Sequence, residues 1–253
     1  MNKSIFNFKI VYDDGTEVDM HDLGLWVENF RIKAPPRKHD TESLEARDGE
    51  IYLGSKIEPR KISTSFSFEC DDYEEFDHFR DEIYKTFLSL QEFYIIRDLQ
   101  PNKRMRVAVD GDFDIDYLTL EDGEFSINLI MFDPLLESVD EVEYKFTSSS
   151  FTLNNLSDIP IDPRKHDLTI SFVGNSTGLK IKNNRTQDTW EYEGTTTTSD
   201  TLVLNGIRPE KNNQSIVHAC NRKVIKLDKG ENQFTISNAS NFEISFNFRF
   251  KYI

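Results

Sequence analysis

The sequence lacks the features that mark most chemistry. No stretch approaches 18 consecutive apolar residues, and Met1 to Ser4 lead straight into the alternating run Ile5 to Val11, so neither a signal peptide nor a membrane span is expected. No Gly-rich phosphate loop, nucleophile elbow or HExxH occurs. The five histidines (His21, His39, His78, His166, His218) form no ligand-spaced pair. The only two cysteines, Cys70 and Cys220, fall in different halves and outside any CxxC or CxH pattern. They read as free thiols of a protein made in a reducing cytoplasm, and a zinc site is not expected. Carboxylates are too abundant for any pair to stand out as an acid/base couple. The chain reads as non-enzymatic, with no catalytic residue, cofactor or metal.

What is present points to β-structure. A chain of 253 residues more naturally makes two domains than one, and its 20 Phe and 9 Tyr suit pleated, half-buried surfaces. The net charge of −15 is unevenly spread: residues 1–150 hold 34 acidic against 17 basic side chains (−17), and residues 151–253 hold 11 against 13 (+2). An N-terminal half this acidic argues against tight nucleic-acid binding, which needs Lys and Arg to neutralise phosphates.

Along the first half, a hairpin is expected from Phe6 to Val18 around Asp13-Asp14-Gly15. A helix is expected over 71–88, with Asp72 and Glu75 as a capping box and Phe76, Phe79, Ile83 and Phe87 as one apolar stripe facing a sheet. Strands follow from the alternation in Ile62 to Phe68, Phe93 to Arg97, Arg104 to Val109, Phe113 to Leu120 and Glu124 to Phe132. Residues 34–61 are densely charged and have few apolar anchors, so they suggest an arm that orders against something else. The small polar cluster Thr147 to Ser150 is a linker candidate. Asp110, Asp112, Asp114 and Asp116 with Glu121 fit a calcium loop at positions 1, 3, 5 and 12, but position 6 is Ile115 where Gly is needed. Strand alternation explains the spacing better, with four carboxylates on one solvated face and Phe113, Ile115 and Tyr117 on the other. The pentapeptide Pro-Arg-Lys-His-Asp occurs at 36–40 and again at 163–167, with unmatched flanks.

The second half is a train of short strands. An Asn-ended strand (Gly178 to Asn183) precedes Trp190-Glu191-Tyr192-Glu193-Gly194 and Asp200 to Leu204. Leu227-Asp228-Lys229-Gly230-Glu231-Asn232-Gln233-Phe234-Thr235-Ile236 and the terminal Phe246 to Tyr252 complete it. This order resembles the C-terminal domain of distal tail proteins, the Dit family of long non-contractile phage tails and related prophages. The N-terminal half is similar to the same family through Trp26 to Phe30, Ala34-Pro35-Pro36-Arg37 and the strand ending Phe132-Asp133-Pro134. One departure is that Asn205-Gly206 follows the Asp200 strand at once, leaving Arg208 to Ser215 as an irregular polar loop.

The resemblance implies a mainly β fold with one helix: an N-terminal β-sandwich-like, ring-forming domain over 1–147, with an extended arm at 34–61, and a galectin-like β-sandwich over 151–253. It also implies a homohexameric hub in the virion tail, assembled in the host bacterial cytoplasm. Such a hub joins the major tail tube protein to a tail-tip or baseplate protein and lets DNA pass in transit, with no membrane partner. The arm, with Pro36, Arg37, Arg47, Asp48 and Arg60, would then embrace a neighbouring subunit, and Asp110, Asp112, Asp114 and Asp116 would line the channel. The alternative is a carbohydrate-binding module or adhesin, with Trp190 and Tyr192 stacking on a cell-wall sugar.

Overall fold

The computed structural model describes residues 3–45, 48–88 and 91–253, and it is mainly β with a single α-helix among them. The chain divides into two compact units, one ending at Leu136 and one running from Glu137 to Ile253. The division falls ahead of Thr147 to Ser150, where the small polar residues suggested it. The reason is pairing: strand Val142–Phe146 runs antiparallel to Phe248–Ile244 and so belongs to the second unit.

In the first unit the strands follow the path Glu17–Asp19, Phe8–Val11, Phe93–Arg97, Gln100–Val109, Asp122–Met131, Arg60–Glu69, Trp26–Ile32. The joint between Gln100–Val109 and Asp122–Met131 is only two residue pairs, Val109 with Leu129 and Ala108 with Ile130. By contrast, Asp122–Met131 is matched to Arg60–Glu69 along all of its length. So short a joint lets the path fold back on itself, and Phe8 on one side meets Phe30 and Phe66 on the other at 5.1 and 5.9 Å. The result is sandwich-like, with inward-facing aromatics as its core.

The hairpin at Asp13-Asp14-Gly15 forms as expected: Gly15 takes φ +84, and Asp14 accepts a hydrogen bond from the Thr16 N–H. The helix spans Tyr73–Phe87. Asp72 caps it by accepting from the Glu74 and Glu75 N–H groups, while Glu75 reaches back to the N–H of Asp71, one residue short of a strict capping box. Phe76, Ile83 and Phe87 are buried, and Phe79 packs edge-on against Phe68 at 4.9 Å.

The second unit rests on two long antiparallel strands, Leu168–Asn183 and Gly230–Phe248. Alternation makes several short strands of this region, but bulges keep the chain paired through the breaks, between Val173 and Asn175 and between Ser176 and Lys180. Gly174 and Gly178 on one strand, and Asn238 and Asn241 on the other, have positive φ at the bend. Before the bend Leu168–Asn183 pairs with Thr201–Asn205, and after it with Asp188–Thr196. Gly230–Phe248 likewise pairs with Ser150–Asn155 at its start and Val142–Phe146 at its end. Both layers therefore share the same two strands. Asn205-Gly206 is a tight hairpin turn: Asn205 opposes Arg208, and the stretch read as an irregular loop continues the sheet through Arg208–Lys211 and Gln214–Ser215.

Three buried asparagines explain the motif that closes this unit. Asn183 donates to the Lys226 carbonyl (2.7 Å) and to Asn232 Oδ1 (3.0 Å). Asn232 donates to the carbonyls of Asp228 and Gly230 and accepts from the Asp228 N–H, and Asn155 donates to the Asp228 carbonyl. The turn backbone at 226–230 thus finds its partners inside the protein, as buried polar groups require.

Candidate functional site

Sequence pattern nominated three places, and the structure treats them differently. The first is the arm. Residues Arg37–Glu42 and Ile51–Ile57 form a two-stranded hairpin that pairs with no other strand among the described residues. It is rooted by the Glu58 N–H on the Pro36 carbonyl (2.9 Å) and the Lys33 N–H on the Lys61 carbonyl (3.1 Å). Every residue of Arg37–Glu42 is exposed, and so are Leu44, Tyr52, Leu53 and Ile57. A lone hairpin is marginal in water, and two free edges with apolar side chains invite a partner. Pro36, Arg37 and Asp48 lie exposed on this projection, whereas Arg47 lies outside the described residues. Arg60 does not belong to the arm surface: it starts strand Arg60–Glu69 opposite Met131 and is 5 % exposed. It takes the inward position of the same alternation that buries Ile62, Thr64 and Phe66.

The second is the acidic segment. The four carboxylates do not share a strand face. The strand ends at Val109, Gly111 takes φ +90, and pairing resumes only over Ile115–Tyr117, so period-2 alternation does not run across 110–114. Asp112, Asp114 and Asp116 are nonetheless exposed, while Asp110 is half-buried and ion-paired with Lys61 at 2.8 Å. The segment is pinned from its apolar side, where Ile115 is buried, Phe113 stacks on Phe125 at 5.8 Å and Tyr117 stacks on Phe76 at 4.0 Å. Among the described residues no group of three or more His, Cys, Asp or Glu side chains could hold a metal ion.

The third is the aromatic pair. Trp190 and Tyr192 are 1 % and 7 % exposed, and both belong to the core of the second unit with Leu179, Ile181 and Leu204. Their shared strand face points inward, so neither ring is open to stack on a sugar. Cys70 and Cys220 are free, and burial raises both thiols, Cys220 to about 11, so neither is an activated nucleophile.

Sequence reasoning missed Arg97 and gave Arg60 the wrong role. Arg60 and Arg97 each carry an Nε sealed from solvent with no hydrogen-bond partner. Arg97 closes strand Phe93–Arg97 with its guanidinium 5.0 Å above the Phe30 ring. A basic residue at a strand end reads as surface, and nothing local signals that it turns inward.

Comparison with known proteins bears on the fold. Residues 14–131 match the family model of the phage tail protein RIFT-related domain. Over 96 % of its length the chain has the fold of the Dit protein of phage SPP1, described as a paradigm of hub adsorption apparatus in phages infecting Gram-positive bacteria; TM-score is 0.77 at 15 % identity, with 99 % of that chain covered. A chain of the phage P2 baseplate, in its activated conformation with Ca, matches with TM-score 0.50 at 9 % identity, over 96 % and 97 %. No curated protein sequence matches the chain.

Proposed function

We propose that this chain, with a phage tail RIFT-related domain over residues 14–131 and the Dit fold over nearly all its length, is a structural hub of a phage or prophage tail. The observation that carries the reading is the mutual coverage of the fold match, 96 % of this chain against 99 % of that one. We assign it a homohexameric ring in the virion tail, between the tail tube and the tip or baseplate, without catalysis. The unpartnered hairpin at Arg37–Ile57 supports a role in closing the ring on a neighbour. The exposed Asp112, Asp114 and Asp116 suit a wall past which DNA slides, because a wall of Lys would hold DNA by releasing its counterions.

Sedimentation velocity and electron microscopy of the purified full-length chain test the reading. A six-membered ring with a central opening is expected; a particle that stays monomeric at every concentration counts against it. The sugar-binding alternative loses its two nominated residues to the core.

A further inference from the structure

Arg60 and Arg97 lie toward one end of the first unit's sandwich. Strand Arg60–Glu69 runs from Arg60 toward the helix, because Phe68 meets Phe76 and Phe79 near its far end. Strand Phe93–Arg97 also begins near the helix: Phe93 contacts Tyr12, whose hydroxyl donates to the Thr86 carbonyl. It ends away from it, at Arg97 over Phe30. Both side chains take inward positions of their strands' alternation.

Neither arginine has an ion pair or hydrogen bond with any described side chain. A guanidinium is always charged and its fork suits a carboxylate, so a half-sealed one without a counter-ion is an expensive arrangement. Burial shifts both groups downward. The complementary surplus sits on the hairpin. Asp40, Glu42, Glu45, Asp48 and Glu50 are all exposed and none is ion-paired among the described residues. None of them reaches Arg60 or Arg97 of its own chain.

We infer that Arg60 and Arg97 form a carboxylate-binding site at the helix-distal end of the first unit, filled by an acidic side chain of the hairpin of a second copy of this chain. This rests on the ring reading and names the surface the arm grips. Hairpin and receiving site are different patches, so the contact is head-to-tail, the kind of contact that a ring of identical copies requires. The incoming carboxylate would neutralise charges that each subunit carries uncompensated before assembly.

The test is sedimentation velocity and thermal unfolding of the full-length chain and of Arg60→Met and Arg97→Met, which keep an apolar stem and remove the charge. Association should weaken at least tenfold in each variant while the unfolding midpoint of the dissociated subunit stays level or rises. A merely structural arginine would instead lower that midpoint. Arg97→Glu should abolish assembly, and adding Glu42→Lys and Glu50→Lys to the same chain should restore it in part. If the wild type forms rings and both methionine variants form them equally well, the inference falls and the ring reading stands. A wild type monomeric at all concentrations overturns both. Retention of a double-stranded oligonucleotide through Arg97 would overturn the carboxylate in favour of phosphate.

Discussion

At the residue scale, the same alternation that revealed the strands hides which of their two faces is inside. Trp190 and Tyr192 share a face by spacing, and only pairing with Ile181 and Leu179 across the sheet sends that face inward. Truncating Trp190 to Ala should therefore cost the second unit about 3–5 kcal/mol in urea unfolding, as for a large buried aromatic, and not the ~0.5 kcal/mol of an exposed ring. Asp162 is legible in another way. Its carboxylate accepts a side-chain bond from Arg164 and also the Arg164 N–H, which lowers it from its ordinary value to about 2. A depressed carboxyl stabilises the fold above its unfolded value and loses that contribution as pH falls through the folded one. Asp162→Asn should thus be less stable than wild type at pH 7, and in paired melts the difference should shrink as pH falls below about 4 and vanish only once pH is well below the folded value of about 2.

Elements were readable where one local signal decides them. The helix has a cap and an apolar stripe, and it forms within two residues of the expected bounds. The bend of the two long strands was not readable, because Gly174, Gly178, Asn238 and Asn241 are also what ends a strand. The repeated pentapeptide makes the point cleanly. At Pro36 to Asp40 it enters a hairpin strand, whereas at Pro163 to Asp167 it forms a turn, since Asp162 bonds the backbone of Arg164, Lys165 and His166 there. Context, not the five residues, selects the conformation. The hairpin is the element with least claim on the core. Replacing residues 38–56 by a short Gly-Ser link, which spares buried Arg60, should leave the subunit's unfolding free energy within about 0.5 kcal/mol. Assembly should be lost by light scattering, and a shortened chain that still forms hexamers would remove the arm from the account.

For the whole molecule, charge asymmetry and length pointed to two domains, but composition placed their border after a strand that pairing assigns to the second unit. Val142–Phe146 brings Tyr144 and Phe146 against Phe248 and Phe246. A fragment spanning 137–253 should accordingly melt cooperatively. A fragment spanning 151–253 should lose roughly 2–5 kcal/mol, or precipitate with those rings bared. Equal midpoints for the two fragments would show that this edge strand is dispensable. The long strands of this unit have a mechanical consequence as well. Leu168–Asn183 and Gly230–Phe248 each run through both layers, so a pull on one layer reaches the other along covalent backbone and not across side-chain contacts. Neither layer can peel away by itself, and under tension the unit yields whole, in a single rupture, or holds.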